Sequence, residues 1–265
     1  MKKGAILGVI CCSLIAGNTL ASTTDLQKLV GVDFFMKYKP YYYQWDEKGV
    51  DVEEEGWVHG VEIGANVKYH DFVLTKKFTI LGGEVDYDGA TWGGNSISSN
   101  TEYDGWSLEL DVGKSFEVSK CLEITPYVML GYEYWKRHLE NTLFSLGYAE
   151  KWKVWYTGVG VRPVYNLGSY YLFGDVYARY NFDVKNEVEL FDVTVKPNEA
   201  WSYGVEAGVG VKSVFKKGVT LEFSGFYAHD NFNASSWKYS PVINDYVKQP
   251  ESDRDVFGFK LGVMF

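Results

Sequence analysis

The sequence predicts an all-β protein: a transmembrane antiparallel up-and-down β-barrel of about ten strands. Three observations support this fold class. Polar and apolar residues alternate along ten segments, the connections between them alternate in length, and no apolar run beyond residue 21 is long enough for a membrane helix. The composition agrees, since the chain has 21 Tyr, 9 Trp and 28 Gly but only 6 Pro. Tyrosine and tryptophan favour strands and also membrane–water interfaces.

Residues 1–21 have the pattern of a secretory signal peptide. Lys2 and Lys3 give a positive start, residues 5–16 form an apolar run, and Ala21 is a small residue at the exit. The apolar run is shorter than the roughly 20 residues that span a bilayer. We therefore expect removal of this segment on export, which leaves residues 22–265 as one barrel domain.

The cysteines indicate neither disulfides nor a metal cluster. A lipoprotein anchor at Cys11 or Cys12 is the alternative to a cleaved signal, but neither cysteine follows a small residue. Beyond the signal only Cys121 remains, and a lone cysteine forms no intramolecular disulfide. The sequence predicts no cofactor and no metal site.

Ten alternating segments are the expected strands. In the fifth, Val128 and Leu130 share one face while Glu133 and Arg137 share the other. Most segments exceed the roughly 10 residues that a tilted strand needs to cross a membrane, so we expect them to project on one side. The expected strands lie near residues 31–46, 56–70, 73–88, 103–118, 122–137, 151–166, 169–184, 200–215, 218–230 and 254–265.

The connections distinguish a membrane barrel from a soluble β-sandwich, which would show the same alternation. Short connections are expected near residues 70–72, 117–121, 167–169 and 215–217, and long ones near 46–55, 88–100, 138–150, 184–199 and 230–253. Tight turns on one rim and long loops on the other are typical of transmembrane barrels. The sequence thus predicts five long surface loops and places both chain ends on the short-turn, periplasmic rim.

Aromatic residues near the expected strand ends predict an interfacial girdle. Such rings anchor a barrel where hydrocarbon meets water. The expected girdle consists of Trp57, Trp106, Tyr132, Tyr134, Trp155, Tyr180, Trp201 and Tyr227.

The last segment carries a one-sided apolar face that ends on phenylalanine. This strand resembles the closing strand of bacterial outer-membrane β-barrels, which the barrel-assembly machinery reads. The resemblance implies location in the cell outer membrane and contact with outer-membrane lipid and lipopolysaccharide. Because a sheet in a membrane must close on itself, we expect the tenth strand to pair antiparallel with the first. The net charge of −9 argues against nucleic acid as a partner. The expected assembly signal consists of Phe257, Phe259, Leu261, Val263 and Phe265.

Charged residues on the polar faces predict a lumen filled by ion pairs. Acids and bases occur on neighbouring strands, small barrels fill their interior with side chains, and buried charges persist only when paired. The alternative is a narrow pore for small polar solutes. The expected lumen charge network consists of Lys37, Glu62, Lys68, Glu84, Asp86, Glu109, Asp111, Glu133, Arg137, Arg162, Asp175, Arg179, Glu206, Lys212, Glu222 and Lys260.

Ten strands with five long loops is also the layout of the omptin surface proteases, which this sequence resembles in architecture. Asp86 and Asp88 match the aspartate pair that in this family helps to position the attacking water. The family's other half-site is an Asp-x-His on the fourth loop, and residues 184–200 contain no histidine. The resemblance therefore implies proteolysis only as a second alternative. On the residues alone, Asp86 faces the lumen and Asp88 opens an Asp-Gly turn.

A lipid-hydrolase triad is also disfavoured. Ser224, His229 and Asp230 are close in sequence, but Ser224 and His229 point to opposite faces of one strand. We therefore predict a non-enzymatic barrel with a structural, adhesive or ligand-binding role, no catalytic residue and an unknown surface ligand.

Overall fold

A computed structural model describes residues 30–90, 96–142, 147–212 and 218–265. The expected signal peptide at 1–21 and the expected short connection at 215–217 lie outside the described residues. The ten barrel strands are β1 (Val30–Glu47), β2 (Val52–Tyr69), β3 (Phe72–Ala90), β4 (Ser96–Lys114), β5 (Leu122–Leu139), β6 (Ala149–Asn166), β7 (Tyr170–Val188), β8 (Ala200–Lys212), β9 (Thr220–Ser235) and β10 (Ser252–Met264).

The sheet closes into an antiparallel up-and-down barrel, as predicted. Each strand pairs with the next in the chain, and β10 pairs with both β9 and β1. The closing register runs from Phe35 opposite Met264 to Glu47 opposite Ser252. Closure gives the strands no free edge, which a sheet in hydrocarbon requires because lipid offers no hydrogen-bond partner. In the part of the chain that is described, no helix has the length and hydropathy to cross a membrane.

The outer surface carries the apolar stripe of each strand, which confirms the expected inside–outside assignment. Val32, Phe34 and Met36 are exposed on β1, whereas Lys37 on the opposite face is partly buried in the lumen. A two-sheet sandwich would instead bury the apolar stripe between its sheets.

The expected girdle forms on this outer surface. Ring contacts join neighbouring strands: Trp106 lies 5.3 Å from Tyr132, Tyr132 lies 4.9 Å from Trp155, and Tyr180 lies 5.2 Å from Trp201, between ring centroids. Between the short turns and this girdle the outer face is largely apolar, and beyond the girdle it becomes polar. We take the apolar zone as the membrane-spanning part of each strand.

Most strands extend a few residues further beyond the girdle than the alternation predicted. Pairing between β1 and β2 continues to Glu47 opposite Val52, which leaves a four-residue turn at 48–51 where a long loop over 46–55 was expected. The prediction of five long loops is wrong on this account. Neighbouring strands can form backbone hydrogen bonds in water as well as in the membrane, so the hairpins continue into water. The long connections among the described residues are those at 189–199 and 236–251.

Two glycines show how the lumen accommodates its aromatic residues. A Cβ placed on Gly131 would collide with the ring of Tyr156, and one on Gly204 would collide with the ring of Tyr177. Each tyrosine thus lies flat over the backbone of the neighbouring strand, in space that only glycine leaves free.

Candidate functional site

The half of the lumen next to the short turns is an open vestibule. It has a volume of about 310 Å³, and most of the residues that line it are charged or polar. Lys37 pairs with Glu222 at 2.8 Å, and Lys260 pairs with Glu206 at 2.7 Å. Glu62 lies 3.7 Å from the same lysine amine. Every cation named here faces a carboxylate, as a charged interior requires.

Deeper in the vestibule, a second ion-pair group joins β3, β4, β6 and β7. Arg162 contacts Asp111 at 2.8 Å and Asp175 at 2.9 Å, and Lys77 contacts Asp111 at 3.1 Å and also Glu109. Glu109, Asp111, Arg162 and Asp175 lie on the lumen face, as the sequence predicted. Lys77 was not among the predicted network residues, and the structure adds it. The Arg162 guanidinium also stacks over the Tyr127 ring at 4.2 Å.

At the level of the girdle, four charged residues join opposite walls of the lumen. We call Glu133, Arg179, Asp230 and Arg254 the quartet. Arg254 contacts Glu133 at 2.9 Å and Asp230 at 2.6 Å, while Arg179 contacts Asp230 at 2.6 Å and Glu133 at 3.4 Å. Two arginines therefore share two carboxylates, and the group is neutral as a whole. The planar guanidinium suits such paired contacts.

An aromatic layer lies directly on the quartet. We call Trp45, Trp135, Trp152 and Phe232 the aromatic plug, and each is at most 2% exposed. Trp135 and Trp152 stack with ring centroids 5.4 Å apart, and Phe232 lies within 6 Å of all three indoles. Arg254 lies 4.7 Å from the Trp135 ring, so the plug and the quartet pack as one block.

Above the plug, one arginine faces three carboxylates. We call Glu47, Glu54 and Glu150 the outer carboxylates; Arg137 contacts them at 3.2, 2.7 and 3.1 Å respectively. Thr101 and Tyr103 also donate to Glu54. The group lies beyond the girdle and carries more negative than positive charge. Burial raises the pKa of Glu47 above its ordinary value, although the nearby Arg137 opposes this rise.

The two long connections fold over this end of the barrel. Residues 189–199 contain a short 3₁₀ helix, Glu189–Phe191, and Val247 of the fifth connection packs with Phe191 in a small apolar cluster. Gln249 accepts a hydrogen bond from Asn186 at 3.0 Å and donates one to Glu47 at 3.3 Å. We call the connections at 189–199 and 236–251 the cover. Gln249 thus joins the cover by a hydrogen bond to Glu47, one of the outer carboxylates.

A short hairpin stands out from this cover. We call Lys238–Ser240, paired with Asp245–Val247, the outer hairpin. Ser240 Oγ donates to the Phe191 carbonyl at 2.7 Å, and Tyr239 Oη donates to Asn244 Oδ1 at 2.7 Å. Val247 packs against Phe191, whereas most large apolar side chains of the hairpin are exposed. The exposed large apolar residues on and beside the hairpin are Trp237, Tyr239, Val242, Ile243 and Tyr246.

Three predicted network residues lie elsewhere. Glu84 and Asp86 are exposed on the outer face of β3, because Val85 and Tyr87 are the residues of this stretch that face the lumen. Beyond the girdle the outer face of a strand meets water, so a carboxylate no longer marks the lumen side. Lys212 donates to the Gly168 carbonyl at 2.9 Å on the short-turn rim and is exposed. Lys68 does line the vestibule, near the same rim, with its amine 3.5 Å from Glu123.

The candidate enzyme residues do not converge. Asp86 and Asp88 face outward, so the aspartate pair does not point into the barrel. Ser224 donates to Glu206 in the lumen at 2.6 Å, while His229 lies 3.0 Å from Asp255 on the outer face. This confirms that Ser224 and His229 occupy opposite faces of β9. In the part of the chain that is described, no three metal-binding side chains come together.

Sequence reasoning missed the outer hairpin and the aromatic plug. The segment Tyr239–Tyr246 reads Tyr-Ser-Pro-Val-Ile-Asn-Asp-Tyr, in which proline and Asn-Asp mark a turn between two aromatic residues. That signal could have revealed the hairpin. The plug residues come from four separate strands, and the lumen-face alternation does not show that they meet.

Comparison with known proteins identifies the architecture. No protein-family model matches the chain, and no curated protein matches it. The outer membrane protease OmpT from Escherichia coli aligns over 94% of this chain and 99% of its own, with a TM-score of 0.57 at 11% identity. The chain has the fold of an outer-membrane β-barrel.

Two further solved structures align with the chain at lower TM-scores. The translocator domain of autotransporter NalP from Neisseria meningitidis gives a TM-score of 0.47 at 10% identity, over 99% of this chain and 94% of its own. Ail, the attachment invasion locus protein of Yersinia pestis, gives 0.32 at 11% identity, over 88% and 98%. Similarity at these identities concerns fold and not activity.

Proposed function

We propose that this protein is a non-enzymatic barrel of the outer membrane that binds an external surface through its outer hairpin. The observation that carries the proposal is the arrangement of the outer end. The quartet and the aromatic plug fill the lumen, and the cover above them holds out Trp237, Tyr239 and Tyr246 in water. Large exposed aromatic residues are costly for a soluble surface and are enriched at binding sites.

In this proposal the long connections face the exterior of the cell, and the short turns and both chain ends face the periplasm. Outer-membrane lipid and lipopolysaccharide surround the apolar belt. The apolar face of β10, from Phe257 through Val263 together with the adjacent Phe265, is proposed to engage the barrel-assembly machinery. The narrow pore and the omptin-like protease are less well supported, because the quartet lies across the path and the aspartate pair faces outward.

The aromatic residues of the hairpin provide the test. Bacteria that display the protein are expected to adhere to epithelial cell monolayers, and a Trp237→Ala/Tyr239→Ala/Tyr246→Ala variant is expected to adhere about tenfold less. These side chains are exposed, so the barrel should assemble normally, which heat-modifiable gel mobility checks. Val50→Ala, at an exposed residue of the first outer turn, is the matched control and should adhere like the wild type. Equal adherence of all displayed forms, or no more than that of bacteria without the protein, would contradict the proposal.

A further inference from the structure

The outer hairpin has three zones in order from its tip. The turn carries Val242 and Ile243, which are 60% and 42% exposed. Behind them lie the rings of Tyr239 and Tyr246, with centroids 5.6 Å apart, and then Trp237, which is 62% exposed. An aliphatic tip followed by a collar of Tyr and Trp is the order in which side chains partition at a membrane surface, from acyl chains to headgroups.

The charges of the hairpin complete this order. Lys238 and Lys248 are exposed behind the tip and outnumber the acidic residue Asp245, so residues 236–248 carry one net positive charge in a chain of net charge −9. The Lys248 amine lies 5.0 Å from the Trp237 ring centroid. Lysines placed behind an apolar tip attract the headgroups of anionic lipids electrostatically.

We propose that the outer hairpin inserts its tip into an opposing lipid bilayer that contains anionic lipid. The inference rests on the proposed function and names the partner of the same surface. Val242 and Ile243 enter the acyl region, Trp237, Tyr239 and Tyr246 lie among the headgroups, and the two lysines face the anionic lipid. A convex aliphatic turn fits a deformable bilayer without the matching pocket that a protein partner would need.

The hairpin is held in position for such contact. Ser240 is bonded to the Phe191 carbonyl, and Val247 packs against the fourth connection. Asn244, with a φ of 53°, closes the turn and accepts from Tyr239. These contacts hold the base of the hairpin, and Val242 and Ile243 are exposed at its tip. The cover lies across the outer end of the lumen, beyond the girdle where the surrounding membrane ends, so the tip is presented to a second membrane.

The test uses the full barrel in lipid nanodiscs and vesicles as the opposing surface. Nanodiscs are mixed with vesicles of phosphatidylcholine containing phosphatidylserine, or of phosphatidylcholine alone, and the fraction that floats with the vesicles is measured. Wild-type nanodiscs are expected to float with the anionic vesicles. Val242→Asp/Ile243→Asp is expected to lower binding about tenfold, since it places charge where the acyl chains would lie. Lys238→Glu/Lys248→Glu should abolish the preference for the anionic vesicles. Val50→Asp, on the first outer turn, should bind like the wild type.

The outcomes separate this inference from the proposed function. Equal flotation of wild type and Val242→Asp/Ile243→Asp, or no flotation of either, overturns the bilayer as partner. Association between nanodiscs that the tip variant abolishes, without vesicle binding, identifies a second copy of the chain instead and also overturns it. If cell adherence still depends on Trp237, Tyr239 and Tyr246 while vesicles do not bind, the proposed function stands and only the lipid partner fails.

Discussion

Replacing Arg254 with alanine is expected to lower the free energy of unfolding by about 3–5 kcal/mol. The Arg254 guanidinium contacts both Glu133 and Asp230, at 2.9 and 2.6 Å. Without it, two buried carboxylates share Arg179 alone, and the closed quartet acquires a net negative charge out of contact with water. The lost packing against Trp135 adds to the cost. Chemical denaturation of the folded barrel in detergent micelles, followed by tryptophan fluorescence, measures the change.

Lys48→Ala is the matched control for this prediction. Lys48 also contacts two carboxylates, Glu251 at 2.8 Å and Asp253 at 2.9 Å, but its side chain is 50% exposed. Water solvates the freed carboxylates in this case, so the expected loss is about 0–1 kcal/mol. Similar losses in both variants would mean that the quartet is not a buried, closed group.

Replacing Arg137 with methionine is expected to destabilise the outer end of the barrel by about 3–5 kcal/mol near neutral pH. Methionine keeps much of the side-chain volume but removes the guanidinium that contacts Glu47, Glu54 and Glu150. Three buried carboxylates then face one another without a counter-charge. Their mutual repulsion and lost solvation favour either protonation or unfolding.

The loss should depend on pH in a defined direction. Burial already raises the pKa of Glu47, and removing Arg137 withdraws the contact that opposes this rise. A carboxyl with a raised folded-state pKa binds protons more tightly folded than unfolded, so folded stability falls as pH rises through that pKa. Arg137→Met should therefore be nearest to the wild type below about pH 4, where carboxyls are protonated in both states.

Denaturation curves from acid to neutral pH test this dependence. Adding Glu54→Gln to Arg137→Met should recover part of the lost stability near neutral pH, because one of the unpaired charges is gone. A deficit of the single variant that does not change with pH would show that Arg137 acts by packing and not by charge.

The membrane-spanning part could be predicted from the sequence because one simple rule governs it. Lipid on one side and a packed polar lumen on the other impose a period of two, so Val32, Phe34 and Met36 separate from Lys37 by alternation alone. The same rule placed Glu133 and Arg179 inside the lumen. It also predicted that β10 would pair with β1, since a sheet in a membrane must close.

The outer end could not be predicted in this way because water surrounds it. Beyond the girdle, water solvates a carboxylate on the outer face, as at Glu84 and Asp86, while Val85 and Tyr87 face the lumen. The alternation persists, but polarity no longer tells which face is inside. The plug depends on residues of β1, β5, β6 and β9 meeting across the lumen, which requires the barrel diameter and the strand register.

The conductance of the purified protein in planar lipid bilayers tests the central claim most directly, namely that the quartet and the aromatic plug close the lumen above the vestibule. No sustained openings of the wild-type protein are expected at neutral pH, with a general porin in the same bilayers as the positive control. Sustained large openings of the wild-type barrel would contradict this claim.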